Sequence, residues 1–333
     1  MIRKTEQVSA LLGIALLLVL FVAGCGNASL GTDSVHQEVT EDLQPVSLAS
    51  GQKLRVVATT NIVGDVVRNV GGYRIELTTL MGIGVDPHSF VPTPSDTAAI
   101  HDANLVFANG AGLEANLEEM LESAGGNAAI IHVSQGIEFL QPAEELDEDA
   151  GTDAHAHDED VDPHVWFSVP NVIQWTQNIE RALSTLDPAN AGYYEDNAQA
   201  YIGELEYLDA WIQEQVDTIP KEHRKLVTNH PVFGYFAERY GLEQLGAIYP
   251  FNPSSAPSAR EVAALQEAIQ QYSVPAVFAE TTVNPKLAQQ VANDTGIKLF
   301  PLYTGSLGGP GSGAETYIDL MRYDVGAIVE ALQ

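Results

Sequence analysis

Three histidines in this 333-residue chain stand beside a proline: His88 in Asp86-Pro87-His88-Ser89-Phe90, His164 in Asp162-Pro163-His164-Val165-Trp166, and His230 in Asn229-His230-Pro231. Imidazole is the commonest nitrogen ligand for a borderline metal such as zinc. Proline fixes φ and stiffens the backbone on one side of each ring, which suits a preformed site. One Pro-His pair reads as a surface turn. Two Asp-Pro-His triplets, each with an aromatic two residues on, together with Asn-His-Pro, read as candidate ligands. A different pattern, His155-Ala156-His157-Asp158, lies in the acidic run 153–160. A His-X-His beside acids can collect a cation weakly, as an accessory to a tighter site; a solvated acidic insertion is the plainer reading of the same segment.

The elements that must bring these histidines together alternate strand and helix. In the first half, β-rich runs at Leu54–Thr60, Ile75–Leu80, Leu105–Ala108 and Ala129–Val133 alternate with helical stretches at Ile62–Val70, Ser95–His101 and Leu113–Ser123. In the second half, strands at Lys225–Thr228, Leu242–Ile248, Ala276–Glu280 and Ile297–Leu302 alternate with helices at Phe233–Tyr240, Ala259–Gln271, Pro285–Thr295 and Thr316–Ala331. This alternation predicts parallel sheets covered on both faces, with ligands at the carboxyl ends of strands. Between the halves lie a helix over Val169–Leu186 and a longer one. The longer helix opens with Asp187 as N-cap and Pro188 at the first position. Its apolar positions Tyr194, Ala198, Tyr201, Leu205, Leu208, Ile212, Val216 and Ile219 recur at three- and four-residue steps. Residues 304–313 form a Gly-rich loop without the Gly-Lys-Ser/Thr ending of a phosphate-binding loop, and read as a wall of the cleft.

The N-terminus has Arg3 and Lys4, then an apolar stretch from Ala10 to Ala23 that is short for a bilayer span. It ends in Val22-Ala23-Gly24-Cys25, which resembles a bacterial lipobox, so residues 1–24 are expected to be a leader and Cys25 the lipidated N-terminus. Residues 25–52 read as a flexible polar tether. A single cysteine excludes an intrachain disulfide framework. With 15 basic against 45 acidic residues the formal net charge is -30, which excludes nucleic acid as a partner.

Taken together, the lipobox, both Asp-Pro-His motifs, the acidic-histidine loop, the long helix, Asn229-His230-Pro231-Val232-Phe233-Gly234-Tyr235-Phe236 and Phe278-Ala279-Glu280 resemble one family. It is the zinc- and manganese-binding solute-binding lipoproteins of bacterial ABC importers, and the likeness runs from Lys53 to Gln333. The resemblance implies an α/β fold of two lobes, each a parallel sheet flanked by helices, at residues 53–186 (with the acidic loop 142–160) and 221–333. They are joined by one rigid helix, 187–220, with the metal in the cleft between them. It implies His88 and His164 as ligands from the first lobe and His230 from the second, a position that tends to be His in zinc members and Glu in manganese members. It further implies Zn²⁺, with Mn²⁺ as the alternative, as transported ligand; a membrane permease with its cytoplasmic ATPase as partner; and a monomer held outside the cytoplasm by its lipid. There is one departure. Where the family often has an aspartate ligand in Tyr-X-Asp-Ser, this chain reads Tyr303-Thr304-Gly305-Ser306, and glycine cannot coordinate. The fourth position is then expected to fall to Glu280 as a direct ligand, with water as the alternative; with water, Glu280 would hold a histidine tautomer from behind.

Two other function classes compete. Three histidines with an open position also describe catalytic zinc, as in hydrolases. Against an enzyme, the chain has no His-Glu-X-X-His, and ligands spread over two lobes suit capture and release. An adhesin would need no site.

Overall fold

The computed structural model describes residues 43–115, 117, 120, 128–141, 161–249 and 257–333. The leader, Cys25, most of the tether, and His155, His157 and Asp158 lie outside these residues, as does most of the helix expected at Leu113–Ser123.

Two four-stranded parallel sheets form the body. In the first, β1 (Leu54–Ala58), β2 (Ile75–Thr79), β3 (Leu105–Ala108) and β4 (Ala129–His132) lie in the order β2-β1-β3-β4. In the second, β5 (Lys225–Thr228), β6 (Glu243–Ala247), β7 (Ala276–Glu280) and β8 (Lys298–Leu302) lie in the order β6-β5-β7-β8. Each sheet is wound outward from its middle, so its strand order reverses beside β1 or β5. The crevice at such a reversal is where open α/β sheets take ligands. The central strands are apolar on both faces because helices cover both sides. Along β1 and β3, Leu54, Val56, Ala58, Leu105 and Phe107 face one core while Val57 and Val106 face another. Leu226, Ala276 and Phe278 join that same first core, whereas Val227, Val277 and Ala279 pack in a third. One continuous core therefore runs between the sheets.

Among the described residues the helices are α1 (Asn61–Gly71), α2 (Pro94–Asp102), α3 (Val169–Leu186), α4 (Ala191–Asp217), α5 (Gly234–Tyr240), α6 (Ala259–Gln271), α7 (Lys286–Thr295) and α8 (Tyr317–Leu332). The 27 residues of α4 make a rod of about 40 Å. Its buried face is Tyr194, Ala198, Tyr201, Leu205, Leu208, Ile212 and Val216; Ile219, the last member of the stripe read from the sequence, is buried just beyond the helix end at Asp217. Its start differs from the expected one. Asp187 does not cap backbone N–H groups, because its carboxylate accepts from Asn190 Nδ2 (2.6 Å) and Tyr194 Oη (2.8 Å). A 3₁₀ turn at Pro188–Asn190 fills the gap. The start of α2 also shifts. Instead of starting at Ser95, the helix has Pro94 at its first position and Thr93 as its cap, with Asp96 accepting from the Thr93 N–H at 2.7 Å. Among the described residues no helix is long and apolar enough to cross a membrane.

Candidate metal centre

Each of the three proline-flanked histidines has its backbone N–H tied to a carboxylate. His88 sits in a single turn, Pro87–Ser89, in the connection leaving β2, and its N–H donates to Asp86 Oδ1 at 3.0 Å. His164 opens the turn Val165–Phe167 that leads into α3, and its N–H donates to Asp162 Oδ1 at 2.9 Å. The two Asp-Pro-His triplets are thus one local device: aspartate accepts from the amide two residues on, across a proline that has no N–H of its own. His230 follows β5, and its N–H donates to Glu280 Oε1 at 3.1 Å. Glu280 ends β7. Thr228 pairs with Phe278, so two further residues on each strand bring His230 opposite Glu280.

The rings converge. His88 Nε2 lies 3.0 Å from His164 Nε2, which lies 3.3 Å from His230 Nε2. All three ligand atoms fall within 4.8 Å of one another. Zinc–nitrogen bonds of 2.0–2.1 Å in a tetrahedron put two nitrogens about 3.3 Å apart, so the spacing fits a common ion.

Behind two of the rings stands a carboxylate. Asp162 Oδ1, which already holds the His164 amide, also meets His164 Nδ1 at 2.7 Å. Glu280 Oε1 meets His230 Nδ1 at 2.5 Å, and Glu280 Oε2 accepts from the Thr304 hydroxyl at 2.5 Å. An ionised carboxylate only accepts, so Nδ1 carries the proton in both rings and Nε2 presents a bare lone pair. Two such lone pairs 3.3 Å apart repel each other until a cation lies between them.

Electrostatics keep the His88 and His164 rings neutral. Burial, then the neighbouring His164 and His230, lower His88 to about 3. Burial, then His230, hold His164 well below the usual histidine range. Burial also works to raise Glu280, but the His230 charge, the His230 N–H bonds and the Thr304 hydroxyl outweigh it, and the carboxyl stays below its ordinary range. Burial raises Asp162 to about 7 against the opposing His164 N–H bond, so its acceptor form prevails above neutrality.

The structure therefore brings together His88, His164 and His230, and sets Glu280 outside the ring of ligand atoms. Both of its oxygens are engaged by His230 and Thr304, which is the outer of the two positions open to it. Other residues went unrecognised in the sequence. Asp162 was signalled by its triplet. Trp166, the aromatic of the second triplet, lies edge-on to the His164 ring at 5.4 Å and donates from its indole to the Thr304 carbonyl at 3.0 Å; Thr304 and Gly234 carried no signal of their own.

Comparison with known proteins places this geometry. A family model described as ZnuA, zinc-uptake complex component A, periplasmic, matches residues 56–331. The manganese-binding lipoprotein MntA of Halalkalibacterium halodurans is 35% identical over 320 residues, covering 96% of this chain and 97% of that protein. The solved structure of the periplasmic zinc-binding protein TroA of Treponema pallidum superposes with a TM-score of 0.76 at 29% identity, over 84% of this chain and 99% of that one. A Mn-bound periplasmic metal-binding protein of Candidatus Liberibacter asiaticus superposes with a TM-score of 0.74 at 29% identity, over 85% of this chain and 100% of that one.

Proposed function

This chain belongs to the ZnuA family as a metal-binding, substrate-binding protein of an ABC importer rather than an enzyme, and from that premise we propose that its cargo is Zn²⁺. The observation that carries this reading is the donor set. Among the described residues the grouped ligand atoms are the nitrogens of His88, His164 and His230, and both nearby carboxylates serve as acceptors for Nδ1 instead. Neutral imidazoles favour zinc, while manganese prefers more oxygen ligands. Water takes the fourth position, with Glu280 and Asp162 fixing tautomers behind the ring.

Cys25 anchors the protein by its lipid outside the cytoplasm. The lobes are residues 53–186 and 221–333, joined by the rigid linking helix 187–220. A monomer delivers the ion to a membrane permease coupled to a cytoplasmic ATPase. His155, His157 and Asp158 collect cations weakly in front of the tight site.

A second reading, manganese, draws support from the name of the MntA relative and from the Mn-bound state of the Liberibacter neighbour. Metal analysis of the purified protein followed by Zn²⁺/Mn²⁺ competition titration separates the two. Zinc binding at least ~100-fold tighter is expected; comparable dissociation constants would sink the zinc reading.

A further inference from the structure

The three histidines come from separate stretches of chain, yet one short segment reaches the support of each. We propose that Thr304-Gly305-Ser306 is a positioning brace that fixes the spacing of all three histidines without ligating the metal. This rests on the proposed metal-capture function and assigns residues to it.

Thr304 serves two of the histidines. Its hydroxyl donates to Glu280 Oε2 at 2.5 Å, which orients the carboxylate whose other oxygen, Oε1, holds His230. Its carbonyl accepts from Trp166 Nε1 at 3.0 Å, which fixes the indole against the His164 ring. Thr304 is fully buried, so no bulk water substitutes for either bond.

Ser306 and Gly305 serve His88. Ser306 Oγ accepts from Gly84 N at 2.8 Å and from Asn61 Nδ2 at 2.8 Å, and donates to the Leu307 carbonyl at 3.0 Å. A hydroxyl has one donor and two acceptor sites, so its capacity is fully used. Asn61 completes the tie by donating to the Gly82 carbonyl at 3.0 Å and accepting from Leu307 N at 2.8 Å. The turn at Gly82–Gly84 that delivers Asp86-Pro87-His88 is thereby fastened to the second sheet's loop. Between the two hydroxyls, Gly305 lies against Pro87. A Cβ at Gly305 would stand 3.0 Å from Pro87 Cδ, tighter than ordinary carbon contacts, and Pro87 would have to yield. Pro87 precedes His88, so that displacement reaches the ring.

The brace spans the cleft, since Asn61, Gly84 and Trp166 belong to the first half of the chain and the segment belongs to the second. Closing the cleft and setting the nitrogen spacing become one event. A ligand set positioned this way is specific for an ion whose bond lengths match the spacing the brace fixes.

The test uses Thr304→Val, Thr304→Ser, Ser306→Ala and Gly305→Ala in the purified protein. Zn²⁺ affinity is read by chelator competition, and the coordination sphere by the visible absorption of bound Co²⁺. Thr304→Val keeps the shape but loses the hydroxyl, and should weaken zinc about 10-fold or more, as outer partners of metal ligands do. Thr304→Ser should restore most of that. Ser306→Ala removes all three hydrogen bonds of the hydroxyl and should cost about 10-fold or more. Gly305→Ala should shift the Co²⁺ spectrum as His88 moves. Wild-type affinity and spectrum in Thr304→Val and Gly305→Ala would overturn the brace alone. So would equal losses in Thr304→Val and Thr304→Ser that track a fall in Tm, since that pattern marks general destabilisation. A wild-type protein that takes up neither Zn²⁺ nor Co²⁺ would overturn the metal-capture reading itself.

Discussion

Glu280 Oε1 accepts both N–H groups of His230, the backbone amide at 3.1 Å and ring Nδ1 at 2.5 Å. Asp162 Oδ1 treats His164 in the same way, at 2.9 and 2.7 Å. In each pair a single oxygen fixes the residue's backbone and its tautomer together, so the lone pair on Nε2 has one direction. The two pairs are assembled differently. Asp162 is two residues from its histidine, whereas Glu280 is 50 residues away and arrives through the β5–β7 register.

This relationship gives the first prediction. Glu280→Gln keeps an acceptor oxygen for His230 but removes the charge that stabilises the protonated Nδ1. Zinc affinity should fall about 10- to 100-fold, the usual cost of losing an outer carboxylate. A far larger loss in competition titration would mark Glu280 as a direct ligand, and an undiminished affinity would deny it any role.

Gly234 governs the other pair. A Cβ at Gly234 would lie 2.8 Å from Asp162 Oδ2, so Gly234→Ala must move the carboxylate that holds His164. The expected outcome is a loss of about 10-fold in zinc affinity. If the effect runs through Asp162, adding Asp162→Asn should cost less in the Gly234→Ala background than in the wild type. Additive losses in that cycle would show that the glycine acts elsewhere.

Much of this arrangement was legible in the sequence. The strands read as short β-branched runs because the central ones are buried on both faces, and the long helix read from its apolar stripe. The histidines were marked by their prolines. What could not be read was which atom faces which. Glu280 was visible as a buried carboxylate at a strand end, but its side of the imidazole depends on the pairing of Thr228 with Phe278. Thr304 and Ser306 looked like ordinary members of a Gly-rich turn, since a hydroxyl shows its purpose only through the groups brought to it by the fold. The helix start expected at Ser95 lies one residue earlier because Thr93 and Asp96 form a capping box, and the cap expected at Asp187 is absent because Asn190 and Tyr194 occupy its carboxylate.

Asp324 predicts a pH dependence of stability. It is fully buried on α8. Its Oδ1 accepts from Tyr303 N at 2.9 Å, and Oδ2 has no hydrogen-bond partner. Burial, partly opposed by the Tyr303 amide, raises its carboxyl well above the ordinary range. The folded chain therefore keeps a proton that the unfolded chain loses near pH 4. Folding takes up a proton in that window, so this group's contribution to stability falls as pH rises from about 4 toward the raised value. Asp324→Asn removes the titration. In chemical denaturation the variant should gain on the wild type as pH increases, by up to about 1.4 kcal/mol per pH unit within the window. A difference independent of pH between 5 and 8 would contradict the assignment.

Gly305 supplies the last prediction, on metal choice. Replacing it with aspartate would bring a carboxylate to the flank of His88, at the cost of pressing Cβ onto Pro87 Cδ at 3.0 Å. The two effects oppose each other, and Gly305→Ala isolates the crowding because it carries the Cβ without the carboxylate. Relative to Gly305→Ala, the aspartate variant offers the ion a fourth protein donor, an anionic oxygen. Manganese gains more from that oxygen than zinc does, because it prefers oxygen donors and zinc is already satisfied by imidazoles. Mn²⁺ affinity should therefore rise by at least ~10-fold from Gly305→Ala to Gly305→Asp, with a smaller change for Zn²⁺, so that the zinc preference narrows. The measurement is a paired Zn²⁺/Mn²⁺ competition titration of both variants at one pH above neutrality, where Asp162 is ionised. If both metals respond equally, the added carboxylate is not reaching the ion, and the preference for zinc has a source other than the nitrogen-only donor set.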